Sequence, residues 1–345
     1  MPGARSAGWS HLRGRRDRGY DARIHLVAHP GRLAFGRPSR CDHDRAAAAS
    51  SGLLAVAGVS PNTARLLGAS PWEFLRSIGV ARARIDFGFS VPEILSIAAV
   101  LPIALNASTL RAADLAPFAD LDVELIHNFY PREWTGLALS SVAASVSVAR
   151  EFGWRVGAFI AGDSVRRGPL GEGLPTVEGH RTMPPLFQAL ELVDVGADDV
   201  YVGNPALTDH SWSRLGSFVR DDVIVLDGTA ASGVHPAVIE ALAIPDRNRP
   251  DAAEAMIRLE HSRERFAGLP LPEVGGQSRP TGSVTVQLPS AGRYCGKVAI
   301  TLRGLPTYDR VAFLGSVPMG VRAIHASGRN LMLAMACGPQ ASGGR

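Results

Sequence analysis

Lysine is almost missing from this chain: Lys297 is the only one, against 35 arginines. Schiff-base chemistry through a lysine amine would depend on that one residue. Cysteine is nearly as scarce. Cys41, Cys295 and Cys337 stand far apart with no C-x-x-C spacing, which argues against a disulfide scaffold or a thiolate zinc site and fits a reducing compartment. No apolar run reaches 18 residues, so no membrane-spanning helix and no membrane partner are expected. There is no G-x-G-x-x-G, no G-x-S-x-G and no His/Cys/Asp grouping with metal spacing, so neither a cofactor nor a metal is expected. Acidic residues are rare at the start. Residues 1–40 hold nine arginines against Asp17 and Asp21, which leaves 27 basic and 30 acidic residues in 41–345. The net positive charge of the chain therefore comes from the first 40 residues, the remainder being about −3, and no nucleic-acid partner is expected for the rest. The Arg-rich start has no apolar segment behind it, so it does not read as a signal peptide, and the expected location is cytoplasmic.

What the chain does contain is a rhythm. From residue 53, short apolar runs end in polar or glycine residues and are followed by helical segments: LLAVAGVSP (53–61), RARIDFGFS (82–90), IALNAST (103–109), VELIHNFYP (123–131), VGAFIAGD (156–163) and DDVYVGNP (198–205). Near-continuous apolar strands alternating with helices imply a parallel sheet covered on both faces. Six such units in about 170 residues suit a TIM-type (β/α)8 barrel better than an open dinucleotide-binding sheet. From about residue 221 the rhythm changes to short β-rich pieces, DDVIVLDG, GSVTVQL, KVAITLRG and RVAFLGSV, which read as a small antiparallel barrel or sandwich. Within it RPDAAEAMIRLEHSRERF (249–266) has a helical pattern. The expected organisation is an aberrant Arg-rich segment over 1–50, a barrel over 51–220, a small β-rich domain over 221–317 and a divergent tail over 318–345.

The strand ends are the candidate site, because ligands of parallel barrels bind at the carboxyl ends of the strands. Each run ends in polar residues: Ser60, Asp86, Asn106 with Ser108 and Thr109, His127 with Asn128 and Tyr130, Asp163, and Asn204.

Five stretches in order, IALNAST, HNFYPREWTGLAL, RRGPLGEGLPTVEGHR, GADDVYVGNP and RPDAAEAMIRLEHSR, resemble the MupG family of 6-phospho-N-acetylmuramidases, over roughly residues 50–317. The resemblance implies a TIM barrel followed by a cyclophilin-like β domain. It also implies a cytoplasmic hydrolase that cleaves 6-phospho-N-acetylmuramic acid–N-acetylglucosamine during peptidoglycan recycling. The partner implied is that phosphorylated amino-sugar disaccharide; homodimer formation is left open. Two features depart from the family. Residues 1–50 do not show the family's first two βα units clearly, so a barrel lacking its first one or two units is expected. One reading of that segment is out-of-frame translation of residues 1 to about 48, the other a divergent extension. The tail from Pro318 also departs.

Glycoside hydrolysis generally uses two carboxyl groups. Asp86 and Glu172 are the candidates for catalysis, Glu172 lying between glycines that allow close approach of backbone to ligand. Asp86 serves equally well as a helix cap or a partner of Arg84, and Glu172 as a solvated loop charge. Glu178 and Asp163 are the next carboxylates, Glu178 also suiting a helix start. Arg166, Arg167 and Arg181 suit bidentate phosphate contact, and Arg258 belongs to a family-like motif in the β-rich region. Asn106, Asn128 and Asn204 suit hydroxyl and acetamido groups. His127 suits the sugar or a carboxylate, and equally a satisfied core position. Tyr130 and Trp134 suit stacking on a sugar ring. Two other readings stay open: an inactive or binding-only remnant of the family, and another phosphosugar-binding TIM-barrel enzyme such as an isomerase or aldolase. For an aldolase, Lys297 lies in the wrong domain.

Overall fold

The structure, a computed structural model, describes residues 11–13, 23–26, 55–109, 111–251, 253–318 and 329–337. It divides into two compact units, Met1–Trp212 and Ser213–Arg345.

The first unit contains an eight-stranded sheet. β1 (His11–Arg13) and β2 (Arg23–Leu26) precede β3 (Ala55–Val59), β4 (Val80–Ile85), β5 (Ile103–Asn106), β6 (Val123–Ile126), β7 (Arg155–Ile160) and β8 (Asp199–Val202). The order is β1-β2-β8-β7-β6-β5-β4-β3. β3 to β8 are six consecutive parallel strands, each paired with the next in sequence, and they coincide with the six apolar runs. This is the curled half of a TIM-type barrel. The sequence left open whether one or both of the family's first two βα units are missing; Arg23–Leu26 pairs in parallel with Asp199–Val202 and adds a seventh parallel strand, which β1 joins antiparallel. The remainder of the Arg-rich segment lies outside the described residues.

Helices follow the strands where local signals start them. α1 (Pro61–Leu67) and α2 (Pro71–Ser77) both open with proline, where a missing N–H costs nothing. Ser60 is the N-cap of α1 and forms a capping box with Thr63. Ser90 caps α3 (Val91–Ala98), with Glu93 Oε2 accepting from both the Ser90 N–H and its hydroxyl at 2.6 Å. α4 (Leu139–Glu151), α5 (Pro185–Asp194) and α6 (Asp209–Asp221) complete the series. Between β5 and β6 the chain makes only two 3-10 turns, Ala112–Asp114 and Ala116–Phe118.

Strand alternation sorts the side chains into two layers. Ala83, Ile85, Ile103, Leu105, Val123, Leu125 and Val156 pack outward with helix residues such as Leu75, Ile97 and Val146. Ala104, Ile126, Phe159 and Tyr201 fill the inner side of the curl with Val56 and Phe129. The inner register also carries charge. Glu124 is 4% exposed and accepts the Tyr201 hydroxyl at 2.6 Å, with Arg82 Nε 3.4 Å from its other oxygen. Arg155 pairs with Asp199 at 2.8 Å alongside. Gly157 makes room for this group: a Cβ there would lie 2.5 Å from the Tyr201 ring and 2.9 Å from Glu124. Burial, with Asp199 nearby, pushes the Glu124 carboxyl up to about 7.

The second unit is built on a seven-stranded sheet of order β10-β15-β9-β14-β12-β13-β11. Its strands are β9 (Val223–Ala230), β10 (Asp246–Arg247), β11 (Met256–Arg258), β12 (Ser283–Gln287), β13 (Val298–Thr301), β14 (Val311–Ser316) and β15 (Asn330–Cys337). The sheet is mixed rather than antiparallel, because β9 and β15 run parallel over eight residue pairs. Asn330–Cys337 lies in the stretch expected to be a divergent tail, yet it sits inside the sheet between β10 and β9. The helical expectation for 249–266 is also corrected. Met256–Arg258 is a strand paired with β13, and only Ser262–Arg265 (α8) is helical there. Between β9 and β10 lies α7 (Pro236–Leu242), which buries Val238, Ala241 and Leu242.

Candidate functional site

β4 carries Arg82 and Arg84 on its inner register, two residues apart, and Asp86 follows at the same period just past the strand end. The Arg84 guanidinium donates through Nη2 to Asn128 Oδ1 at 2.6 Å and to the His127 carbonyl at 3.5 Å. Its Nε is buried and makes no hydrogen bond. Burial draws the Arg84 pKa down, and Asp86 is the strongest charge opposing that shift. Asp86 itself is exposed. Its N–H is held by the Val59 carbonyl, and its Oδ1 accepts only the N–H of Phe87, at 2.9 Å.

The ends of β5 and β6 are tied together. Asn106 Oδ1 accepts the Ser108 N–H at 3.0 Å; Ser108 Oγ accepts the Asn128 N–H at 2.9 Å and lies 3.3 Å from His127 Nδ1. His127 is 1% exposed, and its Nε2 is buried without a partner. Burial lowers its pKa to about 4, so the ring is neutral at pH 7. Its direct role in the geometry is to support Ser108, and through it the Asn128 backbone. Asn128 is half-buried, and its carbonyl accepts the Thr176 hydroxyl at 2.9 Å.

The long loop after β7 divides its charges between structure and solvent. Glu178 accepts four hydrogen bonds: the Trp134 and Gly136 N–H groups at 2.9 and 2.7 Å, and Arg181 Nε and Nη2 at 2.7 and 2.8 Å. Arg181, foremost, holds the Glu178 carboxyl down at about 2. Arg181 also donates to the carbonyls of Tyr130 and Arg132. The pair therefore clamps the segment from Tyr130 to Gly136, and Arg181 has its guanidinium engaged on protein oxygens. Gly136 must be glycine here, since a Cβ would lie 2.7 Å from the Glu178 carboxylate. The clamp holds Trp134 at φ +59°, a left-handed conformation that a bulky residue rarely adopts, with the side chain 84% exposed.

Glu172 is exposed between Gly171 and Gly173, both at positive φ, and makes no side-chain hydrogen bond among the described residues; it acts on Arg181 only through its charge. Arg166 is exposed and donates to the Gly171 carbonyl at 3.3 Å. Arg167 lies 5.9 Å from the Phe129 ring centre with its Nη1 buried and unpartnered. Asp163 is a helix cap in effect. It accepts the Thr208 N–H and hydroxyl and the Ser211 hydroxyl at 2.9, 3.1 and 2.6 Å, and these bonds outweigh burial and lower its pKa. Asn204 is 1% exposed; its Oδ1 accepts the Gly162 and Leu174 N–H groups, and its Nδ2 is buried without a partner. Tyr130 is half-buried, its N–H held by the Pro175 carbonyl. Arg258 lies in the second unit, paired with Asp251 at 2.8 Å.

Hydrogen bonds and ring contacts thus bring Arg84, Asn106, Ser108, His127, Asn128, Phe129 and Arg167 into one connected group, and Tyr130, Trp134, Glu178 and Arg181 into a second. From sequence, Ser108 was only one of the polar strand-end residues, with no role given to it, and Arg84 only a possible ion-pair partner of Asp86. The i, i+2 spacing of Arg82, Arg84 and Asp86 in RARID was the available signal. At the strand ends and the loop after β7, Arg84 Nε, His127 Nε2, Arg167 Nη1 and Asn204 Nδ2 are buried and unpartnered, as Trp154 Nε1 and His180 Nδ1 are elsewhere in the unit. Buried donors are otherwise nearly always satisfied, so a set on segments at successive strand ends points to a polar ligand.

Comparison with known proteins bears on the family and the fold. The chain is similar to a conserved protein of unknown function from a locus in Enterococcus faecalis, with 25% identity, a TM-score of 0.76, and 90% of this chain covering 87% of that one. It is also similar in fold to an uncharacterized B. cereus protein, with 22% identity, a TM-score of 0.71 and coverage of 90% of this chain and 89% of that one. Among curated proteins no sequence matches. The family model for the N-terminal part of 6-phospho-N-acetylmuramidase matches residues 40–217, and that for the C-terminal part matches residues 233–323. The chain belongs to the 6-phospho-N-acetylmuramidase family.

Proposed function

We propose that this protein is a glycoside hydrolase that cleaves 6-phospho-N-acetylmuramic acid from N-acetylglucosamine in the cytoplasm, as a step of peptidoglycan recycling. Family membership supports the bond and the substrate. The observation that carries the choice of residues is how the strand-end carboxylates are used. Asp163 and Glu178 are occupied by hydrogen bonds from the protein, whereas Asp86 and Glu172 are exposed and keep acceptor capacity. One of the pair would protonate the leaving oxygen while the other attacks the anomeric carbon or activates water.

The remaining residues suit binding. Arg84 and Arg167 offer unpartnered N–H groups to a phosphate or lactyl carboxylate, with Arg166 exposed beside them. Asn106, Asn128 and Asn204 offer amide groups to hydroxyls and the acetamido group. Trp134, held exposed at a conformational cost by the Glu178–Arg181 clamp, is suited to stack on a sugar ring. In this reading Glu178 and Arg181 are positioning residues, and the mixed sheet of the second unit is the cyclophilin-like domain of the family.

The test is hydrolysis of a chromogenic 6-phospho-muramic-acid glycoside. Asp86→Asn and Glu172→Gln should each lower turnover at least about 100-fold with an unchanged thermal transition. No cleavage by the wild-type protein, or near-normal turnover in both variants, would refute the reading. Loss of turnover in Glu178→Gln with Glu172→Gln intact would move the acid to the other carboxylate of the same loop.

A further inference from the structure

The second unit holds a cavity of about 350 Å³ whose walls carry Arg249, Arg258, Arg279, Lys297 and Arg310 together with Tyr294. No carboxylate lines it. We propose that this cavity is a binding site for a small phosphomonoester on a ring, such as a sugar phosphate, separate from the residues assigned to hydrolysis.

The cations are gathered by the sheet rather than by a run of sequence. Arg258 ends β11, and its carbonyl accepts the Arg249 N–H at 3.0 Å. Lys297 precedes β13 and Arg310 precedes β14, and their carbonyls accept the N–H groups of Gln287 and Leu288 at 2.9 and 2.8 Å. Both are thus fixed against the end of β12, the strand between them in the sheet. Placing five like charges around one space is unfavourable in itself, and the neutralisation available is small. Asp251 pairs with Arg249 and Arg258, each at 2.8 Å, and Arg279 donates to the Pro306 carbonyl. Among the described residues Lys297 and Arg310 have no carboxylate partner. Lys297 lies instead 5.4 Å from the Tyr294 ring centre. The one lysine of a chain with 35 arginines therefore stands here, unneutralised.

Cations over low-dielectric walls concentrate anions, and arginine forks fit phosphate oxygens. The volume is at the lower end of the range for small-molecule sites, so a monosaccharide phosphate fits and a long polyanion does not. Tyr294, whose ring also carries Arg293 at 4.9 Å, and Tyr308 add aromatic surface to the lining.

The experiment is calorimetric titration of the full chain with glucose 6-phosphate, inorganic phosphate and glucose. Glucose 6-phosphate should bind saturably, phosphate more weakly and glucose not at all. The double variant Lys297→Gln/Arg310→Gln should weaken one glucose 6-phosphate binding event at least tenfold while keeping the wild-type thermal transition. Arg84→Gln/Arg167→Gln should leave that event in place. In the wild-type protein the same event should weaken as salt is raised. Absence of saturable binding, an unchanged isotherm in the Lys297/Arg310 variant, or loss of all binding in the Arg84/Arg167 variant would overturn the proposal.

Discussion

Glu124 offers the sharpest test of the inner core, because its environment fixes both the sign and the size of an effect. The carboxyl is buried, accepts the Tyr201 hydroxyl, and is pushed from 4.5 up to about 7, first by burial and then by Asp199. A carboxyl whose pKa is raised by folding contributes stability that is fully present below its unfolded pKa and is lost as pH rises through the folded one. At about 1.4 kcal/mol per pH unit, the loss between pH 4.5 and 8 is about 3 kcal/mol. Glu124→Gln removes the titration but keeps an oxygen to accept from Tyr201. Its amide faces Arg82 less well, a cost that does not vary with pH. The wild-type protein should therefore lose about 3 kcal/mol relative to the variant on going from pH 4.5 to 8, or roughly 6–12 °C in the difference between their melting temperatures. His127 works in the opposite direction over nearly the same range. Its pKa falls from 6.5 to about 4 through burial, so its contribution is lost as pH falls from about 6.5 towards 4, again by about 3 kcal/mol. The two offset each other in the wild-type protein, and replacing either should expose the slope of the other. Thermal melts followed by circular dichroism at intervals between pH 4.5 and 8 read this directly. A wild-type–to–Glu124→Gln difference that stays constant across that range would show that the carboxyl is ionised in the folded protein and that the reasoning is wrong.

Two further outcomes bear on the loop. Trp134→Gly should raise the melting temperature slightly, by relieving a positive φ worth roughly 1 kcal/mol, while raising KM for the chromogenic glycoside about tenfold; a lowered melting temperature with unchanged KM would remove Trp134 from the site. Glu178→Gln cannot accept all four of the clamp's hydrogen bonds, so amide exchange at Trp134 and Gly136 should accelerate about tenfold or more, and KM should rise before kcat falls; unchanged exchange at both amides would show that the clamp does not hold the loop.

The barrel half was readable because buried parallel strands cannot hide. VELI is buried at all four positions since both faces are covered, and three of the four are apolar. Where charge entered that pattern, it marked the inner register: Arg82, Arg84 and Asp86 alternate with Ala83 and Ile85, a period that is visible in RARID once the outward residues are identified. The strand-end polar residues were also visible, but their division of labour was not. Ser60 and Asp163 are spent on helix starts, and Glu178 and Arg181 on each other, because a hydrogen bond to a distant N–H depends on tertiary approach that residue type does not encode. The second unit went less well for the same reason. Ala, Glu and Arg around Met256–Arg258 favour a helix locally, but pairing with β13 prevails, and Asn330–Cys337 gains its place from eight parallel pairings with β9 that lie about a hundred residues away in the chain. Its most unusual feature, five cations around one cavity, could not be seen from residue spacing at all: Arg249, Arg258, Arg279, Lys297 and Arg310 share no period, and only the strand order of the sheet puts them together.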